Sequence, residues 1–247
     1  MSQTSMKRLR FASVSIFLLG AMTAALAYSI NHRHSPKPPS GFTMIQRQTF
    51  TPAEGGKPVL KADIQRYQKS DGSWVLMHTY YLPDGTFDKA DKGFGQLGRG
   101  VFRVDENSKA LSFLSPMAAD QPIFSADAFT EHMRKNTRFS REEMVLGYKT
   151  LVLHSPGEEG AYDEIYYAPE LQGMIIKNVF AYPFGVEVIE PTSIALGEPP
   201  DSLFAKPDYP VDYRHFEKKI EATEKAGNRE VAEQLRQQLQ KQKTSKY

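Results

Sequence analysis

The run from Tyr162 to Val179 limits what this chain can become more than any other stretch. It sets two β-prone segments, Tyr162 to Ala168 and Met174 to Val179, around the connector Pro169-Glu170-Leu171-Gln172-Gly173. Aromatic and β-branched residues suit a pleated, half-buried surface, and the Pro and Gly between them reverse the chain. The reading is a central hairpin of an antiparallel sheet.

Further strands precede it. Thr43 to Phe50, Val59 to Gln68 and Trp74 to Tyr81 follow one another, the last two around Asp71-Gly72, which supplies the positive φ of a hairpin turn. Pro83-Asp84-Gly85-Thr86 is the next turn, and Asp88 to Gly100, rich in Gly, Asp and Lys, reads as loop. Val101 to Val104 and Ala110 to Leu114 flank Asp105 to Lys109 as another hairpin. Ser125 is placed to N-cap a helix over Ala126 to Lys135, with Phe129 and Met133 on one face. Met144 to His154 reads as one apolar strand in which Gly147 marks a bulge. Val186 to Ile189 and Ser193 to Leu196 continue the sheet, which Glu198-Pro199-Pro200-Asp201 ends. Short connections imply antiparallel neighbours, because parallel crossovers need a dozen or more residues. The expected fold is α+β: a curved antiparallel β-sheet of about eight to ten strands, one mid-chain helix and a C-terminal helical tail.

The flanks differ in kind from this body. Lys7, Arg8 and Arg10 precede an uncharged apolar stretch, Phe11 to Ala27, closed by the small-x-small triplet Ala25-Leu26-Ala27. That pattern reads as a signal peptide cleaved before Tyr28 or as an uncleaved anchor, since Phe11 to Ile30 matches the ~20 residues that span a bilayer. Either places the body outside the cytoplasm: periplasmic, extracellular, or tethered to the inner membrane by this segment alone. Residues 28–42 hold His32, His34 and several prolines and read as a solvated spacer. The antiparallel domain is expected over 43–211 and the charged helical tail over 212–247, broken at Gly227-Asn228. In the tail, Phe216 and Ile220 form one sparse apolar stripe, and Val231, Leu235 and Leu239 another. These five are the candidate partner-binding positions, against the plainer reading of a solvated helix held by a few anchors.

Composition removes several function classes. The chain has no cysteine, which excludes disulfides, thiol nucleophiles and Cys-ligated zinc. The net charge of +2 is carried by the two ends, where the tail alone has nine basic against six acidic residues; the body between is net negative. Charge therefore gives no support for nucleic-acid binding. No Gly-x-Ser-x-Gly, P-loop or His-Glu-x-x-His motif occurs, while Gly93-Phe94-Gly95-Gln96-Leu97-Gly98 matches the spacing Gly-x-Gly-x-x-Gly. Gly93 to Gly100 is glycine-rich but precedes a strand, so no helix N-terminus would face an anion. His78 and His154 fall within strands and read as sheet histidines; a hydrolase using either as base is the weakest reading. Asp163 and Glu164 are adjacent, so in a strand they point to opposite faces.

Aromatic residues fall on or beside nearly every strand, and on a curved sheet they would line an apolar face. The segment Glu164-Ile165-Tyr166-Tyr167-Ala168-Pro169-Glu170-Leu171-Gln172-Gly173-Met174-Ile175-Ile176, followed by Glu198-Pro199-Pro200-Asp201-Ser202-Leu203-Phe204, resembles exported bacterial proteins with a Trp/Tyr-Tyr-x-Pro hairpin and a closing Glu-Pro segment. In architecture these are similar to the periplasmic lipoprotein-carrier (LolA/LolB-like) and outer-membrane lipoprotein-sorting group. That resemblance implies a half-barrel that holds acyl chains. The expected activity is non-enzymatic binding of a lipid, a lipoprotein acyl chain or an envelope partner, without cofactor or metal. The ligand-binding candidates are Trp74, Tyr81, Phe102, Phe129, Met133, Tyr148 and Tyr166. An interaction module docking through its C-terminal helix is the alternative.

Overall fold

In the computed structural model, which describes residues 41–96, 99–117, 138–171 and 174–244, the chain forms one open, curved sheet of twelve strands with two helices near its C-terminus. The strands are β1 (Phe42–Pro52), β2 (Val59–Gln68), β3 (Trp74–Tyr81), β4 (Phe87–Gln96), β5 (Gly100–Asp105), β6 (Ala110–Ser115), β7 (Arg138–Val145), β8 (Tyr148–Pro156), β9 (Tyr162–Ala168), β10 (Met174–Tyr182), β11 (Gly185–Leu196) and β12 (Val211–Asp212). The helices are α1 (Arg214–Lys225) and α2 (Arg229–Thr244). The strand order across the sheet is β12-β6-β5-β4-β3-β2-β1-β11-β10-β9-β8-β7.

The chain begins in the middle of this sheet. It meanders outward from β1 to β6, resumes at the opposite edge with β7, and meanders back to pair β11 with β1. Every pairing is antiparallel except the last, where Val211 and Asp212 run parallel to Leu111 and Ser112 of β6. The expected helix over Ala126 to Lys135, with Phe129 and Met133, lies outside the described residues.

Four expectations need correction. The strands number twelve rather than eight to ten. Asp88 to Gly100 is not loop: most of it is β4, paired from Phe87 to Gln96. Its glycines serve packing, because a Cβ on Gly95 would stand 2.3 Å from Trp74 Nε1, where the indole ring lies across the strand. The apolar run Met144 to His154 is two strands, not one with a bulge. Leu146 and Gly147 both take positive φ (49° and 82°) and turn β7 into β8. Finally, Val186 to Leu196 is one strand whose register against β1 shifts between Ile45 and Gln46.

The tail breaks where expected, at Gly227 with φ 85°. Its two helices pack on the sheet. Phe216 and Ile220 of α1 and Ala232, Leu235 and Leu239 of α2 are buried with Val75, Phe94, Phe102, Val104, Leu111 and Phe113. Phe113 meets the Phe216 ring edge-on at 5.2 Å. The closing segment is tied to the β2–β3 turn: the Ser70 N–H donates to Glu198 Oε1 at 2.9 Å, and Lys69 pairs with Asp201.

Candidate functional site

Register sorts the side chains of the central strands onto two faces. On one, Thr43, Tyr67, Val75, Phe94, Phe102 and Phe113 stand in a cross-strand row, with Ile45, Gln65, Met77, Lys92, Val104 and Leu111 in the next. Over β3 to β6 this is the face that the helices cover. The other face carries a grid of five strands. Its rows, read from β11 through β1, β2 and β3 to β4, are Leu196-Phe42-Gln68-Trp74-Gly95, Ile194-Met44-Arg66-Leu76-Gly93, Pro191-Gln46-Ile64-His78-Asp91 and Ile189-Gln48-Ala62-Tyr80-Lys89. Ala62, Ile64 and Ile189 form its apolar centre, with Leu76, Tyr80 and Phe180 half-buried around them.

Arg66 stands between Met44 and Leu76 in that grid. Its Nη2 donates to Gln68 Oε1 at 3.3 Å, and its guanidinium carbon lies 5.4 Å from the Phe42 ring centroid. No carboxylate pairs with it among the described residues. Crowding alone lowers its pKa to about 10 although its side chain keeps some solvent contact. Trp74, diagonal to Arg66, lies flat over the β4 glycines, with Gly93 also close to its ring. A backbone acceptor freed by irregularity is met on this face too: Ile176 has no partner in either ladder, and the buried Gln46 donates to its carbonyl at 3.1 Å.

Other ionisable groups on the grid face are desolvated in the same way. Burial lowers the His78 pKa against the charge of Asp91, and His78 stacks on Tyr80 at 5.5 Å. Burial pushes the Tyr80 hydroxyl up to about 12. It also raises the Glu187 carboxyl, against a hydrogen bond from Gln48 and the charge of Lys61. Asp163, opposite Phe180, is raised by burial as well.

A second polar cluster, on β7 to β10, is built differently. Arg141 grips Glu164 with two hydrogen bonds, Nη1 to Oε1 at 2.7 Å and Nη2 to Oε2 at 3.0 Å, and donates to the Tyr166 hydroxyl at 2.8 Å. Lys177 sits 4.7 Å from the Tyr166 ring centroid. The Arg141 hydrogen bonds hold Glu164 below the usual carboxylate range, and burial first, then Glu164's charge, raises the Tyr166 hydroxyl. His154 is 3.8 Å from a Glu164 already held by Arg141. Here every charge has a partner, as a structural network requires.

The residues proposed from sequence are therefore dispersed. Trp74 belongs to the grid face. Tyr81 points away from it, its hydroxyl donating to Asp63 at 2.9 Å. Phe102 is buried under the helices between Phe94 and Phe113. Tyr166 belongs to the Arg141 cluster and Tyr148 packs beside it, while Phe129 and Met133 lie outside the described residues. Of the partner-binding positions, Phe216, Ile220, Leu235 and Leu239 face the sheet, and Val231 is exposed. Arg66 was missed because Gln65-Arg66-Tyr67-Gln68 looks polar throughout. The available signal was its place in the alternation Ala62, Ile64, Arg66. Among the described residues no group of three or more His, Asp or Glu is arranged to hold a metal.

No family model and no curated protein matches this chain. Several solved structures are similar to it. A conserved protein from Thermus thermophilus shares 10% identity at TM-score 0.42, over 78% of this chain and 99% of that one. The Pseudomonas aeruginosa MucA/MucB complex shares 16% at 0.39, over 67% and 56%. An outer membrane lipoprotein-sorting protein domain from Vibrio parahaemolyticus shares 11% at 0.23, over 75% and 95%. A lipoprotein-sorting domain is thus among the chain's structural neighbours, as its hairpin motif implied; at these scores the likenesses are loose, and function has to be read from the chain's own side chains.

Proposed function

We propose that this is an exported, non-enzymatic protein that binds a hydrophobic ligand, a lipid or acyl chain, on the grid face of β11 and β1 to β4. The observation that carries the reading is that this one face joins an apolar cluster (Ala62, Ile64 and Ile189, flanked by Leu76) to Arg66, which has no carboxylate partner among the described residues, and to the desolvated His78 and Glu187. Titratable groups perturbed by desolvation on one surface make that surface a candidate functional site. An acyl chain contributes about 0.8 kcal/mol per buried methylene, so a chain of ordinary length binds without a dense polar site. The test is mass spectrometry of lipid that copurifies with the protein, together with titration of a fluorescent fatty acid. Saturable binding weakened by Leu76→Asp supports the proposal. No copurified lipid and no saturable binding remove it.

A further inference from the structure

Resting on that reading, the geometry points to the chemistry of the ligand's head: Arg66 seats an anionic oxygen group, a carboxylate or phosphate, so that the grid face selects acidic amphiphiles over neutral ones.

A guanidinium carries five N–H donors in a planar fork. At Arg66 one hydrogen bond is made among the described residues, to Gln68 Oε1 at 3.3 Å, and the Phe42 ring takes one flat side. The cross-strand neighbours, Met44 and Leu76, offer no acceptor. A structural arginine on a sheet is finished as Arg141 is, by a bidentate carboxylate. Arg66 has the fork and, among the described residues, lacks the carboxylate. Its placement is that of a head-group anchor, because the half-buried Leu76 lies directly beside it and the half-buried Tyr80 follows on the same strand and face, over the buried Ala62, Ile64 and Ile189. An acyl chain along these side chains brings its acidic end to the guanidinium. Desolvation by the chain strengthens the contact, since charge-assisted hydrogen bonds gain as water leaves.

The test measures displacement of a fluorescent fatty acid from the full chain by four probes: palmitic acid, hexadecanol, hexadecyl phosphate and inorganic phosphate. Wild type, Arg66→Met and Arg66→Lys are compared. The expected result is that palmitic acid and hexadecyl phosphate bind about tenfold or more tightly than hexadecanol, that Arg66→Met removes this preference while keeping hexadecanol binding, and that Arg66→Lys restores part of it. Inorganic phosphate alone should not displace the probe. Equal binding of acid and alcohol by wild type overturns the head-group seat and leaves the hydrophobic face standing. Displacement by inorganic phosphate as effective as by its hexadecyl ester overturns it too, by making the ligand a free anion. Absence of binding by every amphiphile removes the hydrophobic face and this inference together.

Discussion

The two faces of β1 to β4 are made by the same strands in the same register, and both bury apolar side chains, yet they differ in the polar groups set among them. On the helix face, Val75 and Phe94 are buried beneath Phe216, Ile220, Leu235 and Leu239, so the chain supplies its own cover. One residue along, the row Met44-Arg66-Leu76-Gly93 holds a guanidinium that no carboxylate pairs among the described residues, and the next holds a desolvated histidine. Stability alone would fill both faces with apolar or paired groups, since a desolvated, unpaired charge opposes folding even when part of it still meets water. Arg141 shows that the chain pairs an arginine where structure is the purpose. On the proposed reading, the difference separates the helix face as scaffold from the grid face as the ligand's surface.

The largest effect expected is on the scaffold side. Phe102→Ala should destabilise the protein by about 3–5 kcal/mol in urea unfolding, the usual cost of emptying a packed core position, without changing ligand affinity of the folded fraction. A much smaller loss, or a parallel loss of affinity, would break the division between faces. Gly95→Val should cost about 1–3 kcal/mol, because even its Cβ falls 2.3 Å from Trp74 Nε1, and should shift the emission of Trp74. An unchanged spectrum would mean that the indole does not rest on β4.

Next in size is Glu164→Gln, which weakens the network around Arg141. With Arg141 43% exposed, solvent screening limits the loss to roughly 1 kcal/mol. Arg66→Met should lie within about 1 kcal/mol of wild type in either direction, since among the described residues the arginine has no ion pair to lose. A larger destabilisation would make Arg66 a structural residue. The smallest effect is in pH dependence. Burial lowers the folded His78 pKa, so the unfolded chain takes up its proton first, and stability declines as pH falls through about 6.5 toward the folded value. His78→Gln should flatten that decline without removing it, because His215 is lowered in the same direction. A decline identical in the variant would show that His78 is not desolvated.

Much of the scaffold was legible from local chemistry. Asp71, Asp84 and Asp105 accept backbone N–H groups of their own turns, and such turns announce themselves in Asp-Gly and Asp-Glu-Asn-Ser runs. The Tyr162–Val179 hairpin and the break at Gly227 were readable for the same reason. β4 was not, since Phe87-Asp88-Lys89-Ala90-Asp91-Lys92-Gly93 lacks strand propensity and takes its strand form from pairing between β3 and β5. The Leu146-Gly147 turn hid inside an apolar run. The site was the least legible part: Arg66 gains its meaning from Met44, Leu76 and Phe42 on other strands, and no single-strand pattern states which strands will be neighbours.

Trp74 is the chain's only tryptophan and lies on the grid face, so its fluorescence reports that face alone. Titration with a fatty acid brominated along its chain is the most direct test. The account predicts saturable quenching of Trp74 with the same midpoint as binding measured independently. Saturated binding with Trp74 emission unchanged would place the ligand elsewhere and contradict it.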